Sequence, residues 1–160
     1  MKYKLTKQTK TYLGIKLYQI EALADFGDVK KGDRGGWIEK GGNLSQGGEA
    51  WISGDAKVHG NARIYGNARI SGKAKIYGEA WICGKAKIYG EARIYENAWV
   101  FGNTKVCDNA KIYGEAWIYE NAWVFGNARI SGEAKIYGNA RISGKAKIYG
   151  EAWICGEKGS

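Results

Sequence analysis

The chain has 160 residues, a length suited to one domain. It contains no proline, 25 glycines, seven Trp and eleven Tyr, a composition that excludes a disordered polar tract. A formal net charge of +9 favours anionic partners such as nucleic acid, nucleotides or acidic protein surfaces, and no stretch approaches the roughly 20 apolar residues of a membrane span.

At the N-terminus, MKYKLTKQTK carries lysines but no apolar run follows, so a secretory signal is not expected. Residues 1–46 lack a six-residue period and are read as an N-terminal cap. Runs such as KYKLT and GIKLYQIEALADF alternate as strands do, predicting a small β-hairpin followed by the loop FGDVKKGDRGG. A first partial coil is expected near Trp37 and Ile38, with Leu44 in register and an insertion of two residues at Gln46–Gly48.

Residues 47–160 form a repeat array. An aliphatic residue returns at every sixth position from Ile52 to Ile154, eighteen times, and alanine stands two residues before each except at Thr104. The unit is A-x-[IV]-x-G-x. In a strand, residues i and i+2 share a face, so alanine and the aliphatic residue point inward and the residue between them outward. A helix cannot hold a strict period of six, because 3.6 residues per turn would spread the aliphatic positions around its circumference. Each repeat is therefore a short strand and a turn. Glycine two residues after the aliphatic position supplies positive φ. Glu96, Asp108 and Glu120 replace it, each followed by asparagine, and Asn97, Asn109 and Asn121 are expected to take the left-handed conformation instead.

The outward residues sort at every eighteenth position. Lys57, Lys75, Arg93, Lys111, Arg129 and Lys147 make an entirely basic column. Arg63, Trp81, Trp99, Trp117, Lys135 and Trp153 make a second, and Trp51, Arg69, Lys87, Lys105, Trp123 and Arg141 a mixed third. Three repeats per coil predict an all-β, triangular parallel β-solenoid of about six coils, stacked at ~4.8 Å into a rod of roughly 30 Å. After Ile154 only CGEKGS remains, so the last coil is expected to be covered by a second copy of the chain, tail to tail, or by another partner.

The A-x-[IV] spacing resembles the hexapeptide repeat of left-handed β-helix proteins, which include many trimeric acyltransferases. The resemblance implies left-handed winding. Here Tyr, Ser, Cys or Phe usually follows the aliphatic residue, where that group favours a small or acidic one. Residues 25–58, DFGDVKKGDRGGWIEKGGNLSQGGEAWISGDAKV, are similar to the opening of the YdcK-like hexapeptide-repeat proteins of bacteria and their prophages. That resemblance implies the fold and a bacterial or prophage setting, with no established reaction.

Acyl transfer on this fold uses a histidine base near a cleft between subunits. The single histidine, His59, is a weak catalytic candidate and is expected to be a solvated surface residue. Trp81, Trp99, Trp117 and Trp153, with Phe101 and Tyr119, form an aromatic stripe, read as an oligomer interface against the alternative of rings stacking along the ladder. The basic column, with Tyr77, Tyr95, Tyr113 and Tyr149 two residues on, is the candidate anion-binding surface, against the alternative of a solvated face. Glu79, Glu115, Glu133 and Glu151 form a column at another corner that can supply part of its charge compensation.

Other motifs fail. GNARISGKA, at residues 66–74 and 138–146, has five residues between its glycines and Ala where a phosphate loop holds magnesium with Ser or Thr. Cys83, Cys107 and Cys155 are an odd set without metal-ligand spacing, and Cys83 and Cys155 stand four coils, ~19 Å, apart. No cofactor is called for, and free thiols without a signal point to the cytoplasm. The reading is a non-catalytic oligomeric structural or interaction protein, a dimer or trimer. The alternatives are a binder of an anionic ligand, nucleotide or nucleic acid, through the basic-aromatic face or an inter-subunit crevice, and a hexapeptide acyltransferase.

Overall fold

The computed structural model describes residues 1–156. Three strands open the chain: β1 (Tyr3–Tyr12), β2 (Ile15–Ala22) and β3 (Arg34–Ile38). The first two pair as an antiparallel hairpin, and β3 runs antiparallel to β2. The hairpin is not a separate lid, because β3 also pairs in parallel with the first basic repeat strand, Trp37 against Lys57 and Ile38 against Val58. Leu44 bridges in parallel to Ile64. Both pairs are twenty residues apart, whereas Ile52 and Ile70 are eighteen apart. The two-residue insertion thus lies between Leu44 and Ile52.

Eighteen short strands follow, from Trp51–Ile52 to Trp153–Gly156, most of them only two residues long. They stack in parallel into three sheets, of nine strands including the three N-terminal ones, of six and of six. Three strands make one coil, an arrangement compatible with a triangular cross-section. Each coil bonds to the next through alternate backbone N–H groups: Lys75 to Ala92 O at 3.0 Å, Tyr77 to Ile94 O at 3.1 Å and Glu79 to Glu96 O at 2.8 Å. Regular pairing at eighteen residues holds the outward columns in register, as in Lys75–Arg93–Lys111 and Trp81–Trp99–Trp117.

The interior is a ladder of alternating small and large residues. From Ala50 to Ile136 the inward alanine and aliphatic side chains are buried, and full burial of one Ile or Val is worth about 1.5–3 kcal/mol. At the N-terminal end the hairpin closes the core. Tyr3 is fully buried and its hydroxyl donates to Leu44 O at 2.6 Å, while Lys2 Nζ donates to Ala50 O at 2.8 Å. Asn43, also fully buried, donates to Gly60 O and Ala62 O and accepts from the N–H groups of Glu39 and Lys40. At the other end Ala146, Ile148, Ala152 and Ile154 are only partly buried.

The turns correct one expectation. Glu96, Asp108 and Glu120 themselves adopt positive φ, 59°, 58° and 58°, in place of the asparagines that follow them. Their carboxylates accept the backbone N–H of Gly114, Gly126 and Gly138 in the next coil, at 2.8, 2.9 and 2.9 Å. This bond offsets the steric cost of a Cβ in the left-handed region, a cost asparagine would otherwise reduce.

Candidate functional site

Each cation of the basic column sits between an inward alanine and an inward aliphatic residue, so the pleat points it outward. Register places Lys57, Lys75, Arg93, Lys111, Arg129 and Lys147 one above another on consecutive coils. Like charges at ~5 Å repel, and a compensating carboxylate would be expected. Among the described residues the ion pairs are Lys4–Glu21, Arg34–Glu21 and Arg69–Asp28, none of which touches this column. Glu79, Glu115, Glu133 and Glu151 do not supply the compensation expected of them. They precede the alanines of the tryptophan sheet, on a different side of the coil, and Glu79 lines a recess with Arg63, Trp81 and Trp99.

The basic column instead floors a groove of about 570 Å³. Its second wall comes from the residues preceding each alanine, so Lys73 and Lys145 join Lys75, Arg93, Lys111, Arg129 and Lys147, beside Asn109 and Asn127, with Glu91 the one carboxylate. The sequence reading missed Lys73 and Lys145. Taking every eighteenth residue in that neighbouring column would have found them. At the top of the ladder Lys57 is pushed to a lower pKa, by burial first and then by the charges of Lys10 and Lys75.

Beside the cations runs a ladder of rings. His59 stacks on Tyr77 at 5.1 Å, Tyr77 on Tyr95 at 5.0 Å and Tyr95 on Tyr113 at 5.0 Å, with planes within 3° of parallel. Tyr149 is not part of this stack, because Ser131 stands between it and Tyr113 and carries no ring; it is 74% exposed. His59 is not a solvated surface residue. It is only 7% exposed, lies between Tyr12 of β1 and Tyr77, and leaves Nε2 buried without a hydrogen-bond partner. Burial lowers its pKa, with Glu39 opposing. Its partner Tyr12 comes from the hairpin, outside the repeat, so no period in the sequence pointed to it.

On the second side Trp81, Trp99 and Trp117 stack at 4.9 and 5.2 Å, and Phe101, Tyr119 and Tyr137 stack beside them at 5.1 Å. Lys135 interrupts the tryptophans and lies over both Trp117, at 4.9 Å, and Trp153, at 4.6 Å. Ring stacking along the ladder therefore uses the inner ring faces of this stripe. Trp153, at the end, remains 65% exposed.

The three cysteines are free thiols. Among the described residues no three His, Cys, Asp or Glu side chains come together as a metal site, and no helix is long and apolar enough to cross a membrane. The GNARISGKA segments run through repeat strands with no helix after the glycine, so they build no phosphate loop.

No curated protein matches the chain. The family described as YdcK Beta solenoid repeat matches residues 62–78 and 134–150. These two segments differ only at Arg63 and Lys135, and each spans most of one coil. The chain is a β-solenoid, two segments of which match the YdcK β-solenoid repeat.

Proposed function

We propose that this protein is a non-catalytic interaction rod whose basic face binds an extended anionic ligand. The observation that carries the reading is the groove in which seven Lys or Arg side chains face one carboxylate, Glu91. A rigid backbone ladder sets the cations at a fixed pitch, so they converge on a linear polyanion with no ordering cost in the backbone. The burial of His59 between two rings gives the acyltransferase alternative little support. The YdcK resemblance and the free thiols favour a bacterial or prophage protein working in the cytoplasm.

Binding of a short single-stranded oligonucleotide and of inorganic polyphosphate tests this. Affinity should fall with salt, with a log–log slope of about 0.7 per cation engaged for a single strand. The double variant Lys111→Glu/Arg129→Glu should lose at least about tenfold in affinity while keeping its circular dichroism spectrum. Salt-independent binding, or an unaltered variant, rejects the reading.

A second reading, self-association into a dimer or trimer, is favoured by exposed Trp153 and by the partly buried Ile148 and Ile154 of the last coil. Native mass measurement across micromolar concentrations decides it, with a constant monomer mass as the contrary result. Trp99→Lys/Trp117→Lys separates the aromatic stripe from the terminal coil as the contact.

A further inference from the structure

The ring ladder beside the basic column is broken at one rung. Down this column stand His59, Tyr77, Tyr95, Tyr113, Ser131 and Tyr149. The first four stack at 5.0–5.1 Å, and no ring contact joins Tyr113 to Tyr149. The two flanking tyrosines are two coils apart, ~10 Å, which leaves between them the space that one ring fills elsewhere in the ladder.

Two other positions in the array have a non-aromatic residue between rings of the coils above and below. Cys83 lies between Tyr65 and Phe101, and Cys107 between Tyr89 and Phe125. In both, the thiol lies near enough to the tyrosine above to help push that phenol up to about 12, after burial for Tyr65 and ahead of it for Tyr89, and Cys107 is only 4% exposed. Ser131 has no such partner, and Tyr149 below it is largely exposed. The open rung also lies on the cationic side. Arg129 is two residues before Ser131 on the same coil, with Lys111 on the coil above and Lys147 on the coil below. The charge of Arg129 is felt at Tyr95, where it opposes the burial that raises the phenol's pKa.

We propose that Tyr113, Ser131 and Tyr149 frame a slot for one nucleobase, and that Arg129, with Lys111 and Lys147, holds the phosphate attached to it. The base completes the stack as a sixth ring, and the ladder pitch sets its distance from the cations. The proposal rests on the anion-binding reading of the basic face and names its ligand class.

The test compares three probes at equal salt: a mononucleotide, a short single-stranded oligonucleotide, and inorganic polyphosphate of matched charge. The two base-containing probes separate a free nucleotide from a nucleic-acid strand as the source of the base. At least one of them should bind about tenfold or more tighter than polyphosphate, the range that stacking of one base provides. Ser131→Tyr fills the slot with the chain's own ring and should remove that advantage, leaving polyphosphate binding unchanged. Tyr149→Ala, which removes one wall at an exposed position, should weaken the base-containing probes in the same direction. If polyphosphate binds as well as the base-containing probes, or Ser131→Tyr and Tyr149→Ala bind them as wild type does, the slot is rejected while the basic groove stands. Failure of all three probes to bind rejects both.

Discussion

Glu96 Oε2 accepts the backbone N–H of Gly114, one coil further along, at 2.8 Å. The residue is held at a φ of 59°, which glycine adopts at the equivalent turns. Strain at one coil and a hydrogen bond to the next are therefore coupled in a single side chain.

That coupling predicts an order of stabilities. Glu96→Ala keeps the left-handed strain and loses the bond, so it should cost about 1 kcal/mol. Glu96→Gly removes strain and bond together and should stay within about 0.5 kcal/mol of wild type. Urea denaturation of both variants checks the ranking, and an alanine variant as stable as the glycine one contradicts it.

Thr104 replaces alanine in the core ladder, is fully buried, and its hydroxyl has no hydrogen-bond partner. Thr104→Val keeps the shape and removes the unsatisfied donor. It should stabilise by about 1 kcal/mol, seen as a rise of about 2–4 °C in Tm.

Asn43 ties two backbone N–H groups of its own coil to two carbonyls of the next. Asn43→Ala leaves the buried Ala62 O and the part-buried Lys40 N–H and Gly60 O without that partner and should cost about 3 kcal/mol, measurable by chemical denaturation. Hydrogen exchange in β3 should rise with it.

His59 makes stability depend on pH. Burial lowers its folded-state pKa below the ordinary value of 6.5, so the unfolded chain takes up the proton first. Its contribution is fully present above pH ~6.5 and is lost as pH falls from there toward the folded pKa. The difference in denaturation midpoint between pH 7.5 and pH 5 should shrink in His59→Phe, which keeps the ring on Tyr77. An unchanged difference would place the pH dependence elsewhere.

The array was legible because its physics is periodic. An Ile or Val at every sixth position, with Ala two residues before it, leaves one way to bury both, and sorting at eighteen named the neighbours of Arg93 and Trp99 correctly. Side-chain direction between coils was less legible. Nothing in the spacing shows that Glu96 folds down onto Gly114, or that Glu79 lines a recess with Trp81 and Trp99. His59 was misjudged for a related reason. Its burial depends on Tyr12, which reaches it from a hairpin that follows no repeat. One wall of the groove, with Lys73 and Lys145, was not legible because its column, Asp55, Lys73, Glu91, Asn109, Asn127 and Lys145, carries no single sign of charge.

From Trp51 onward every coil-to-coil pairing is separated by eighteen residues, which gives the rod a phase. Excising eighteen residues from the middle should shorten the molecule by one storey and leave each side chain on its original wall. Excising six should preserve an equally sound core yet advance everything downstream by one wall, setting arginines and lysines beneath tryptophans. Folding should tolerate both deletions, but only the first leaves the all-basic column unbroken.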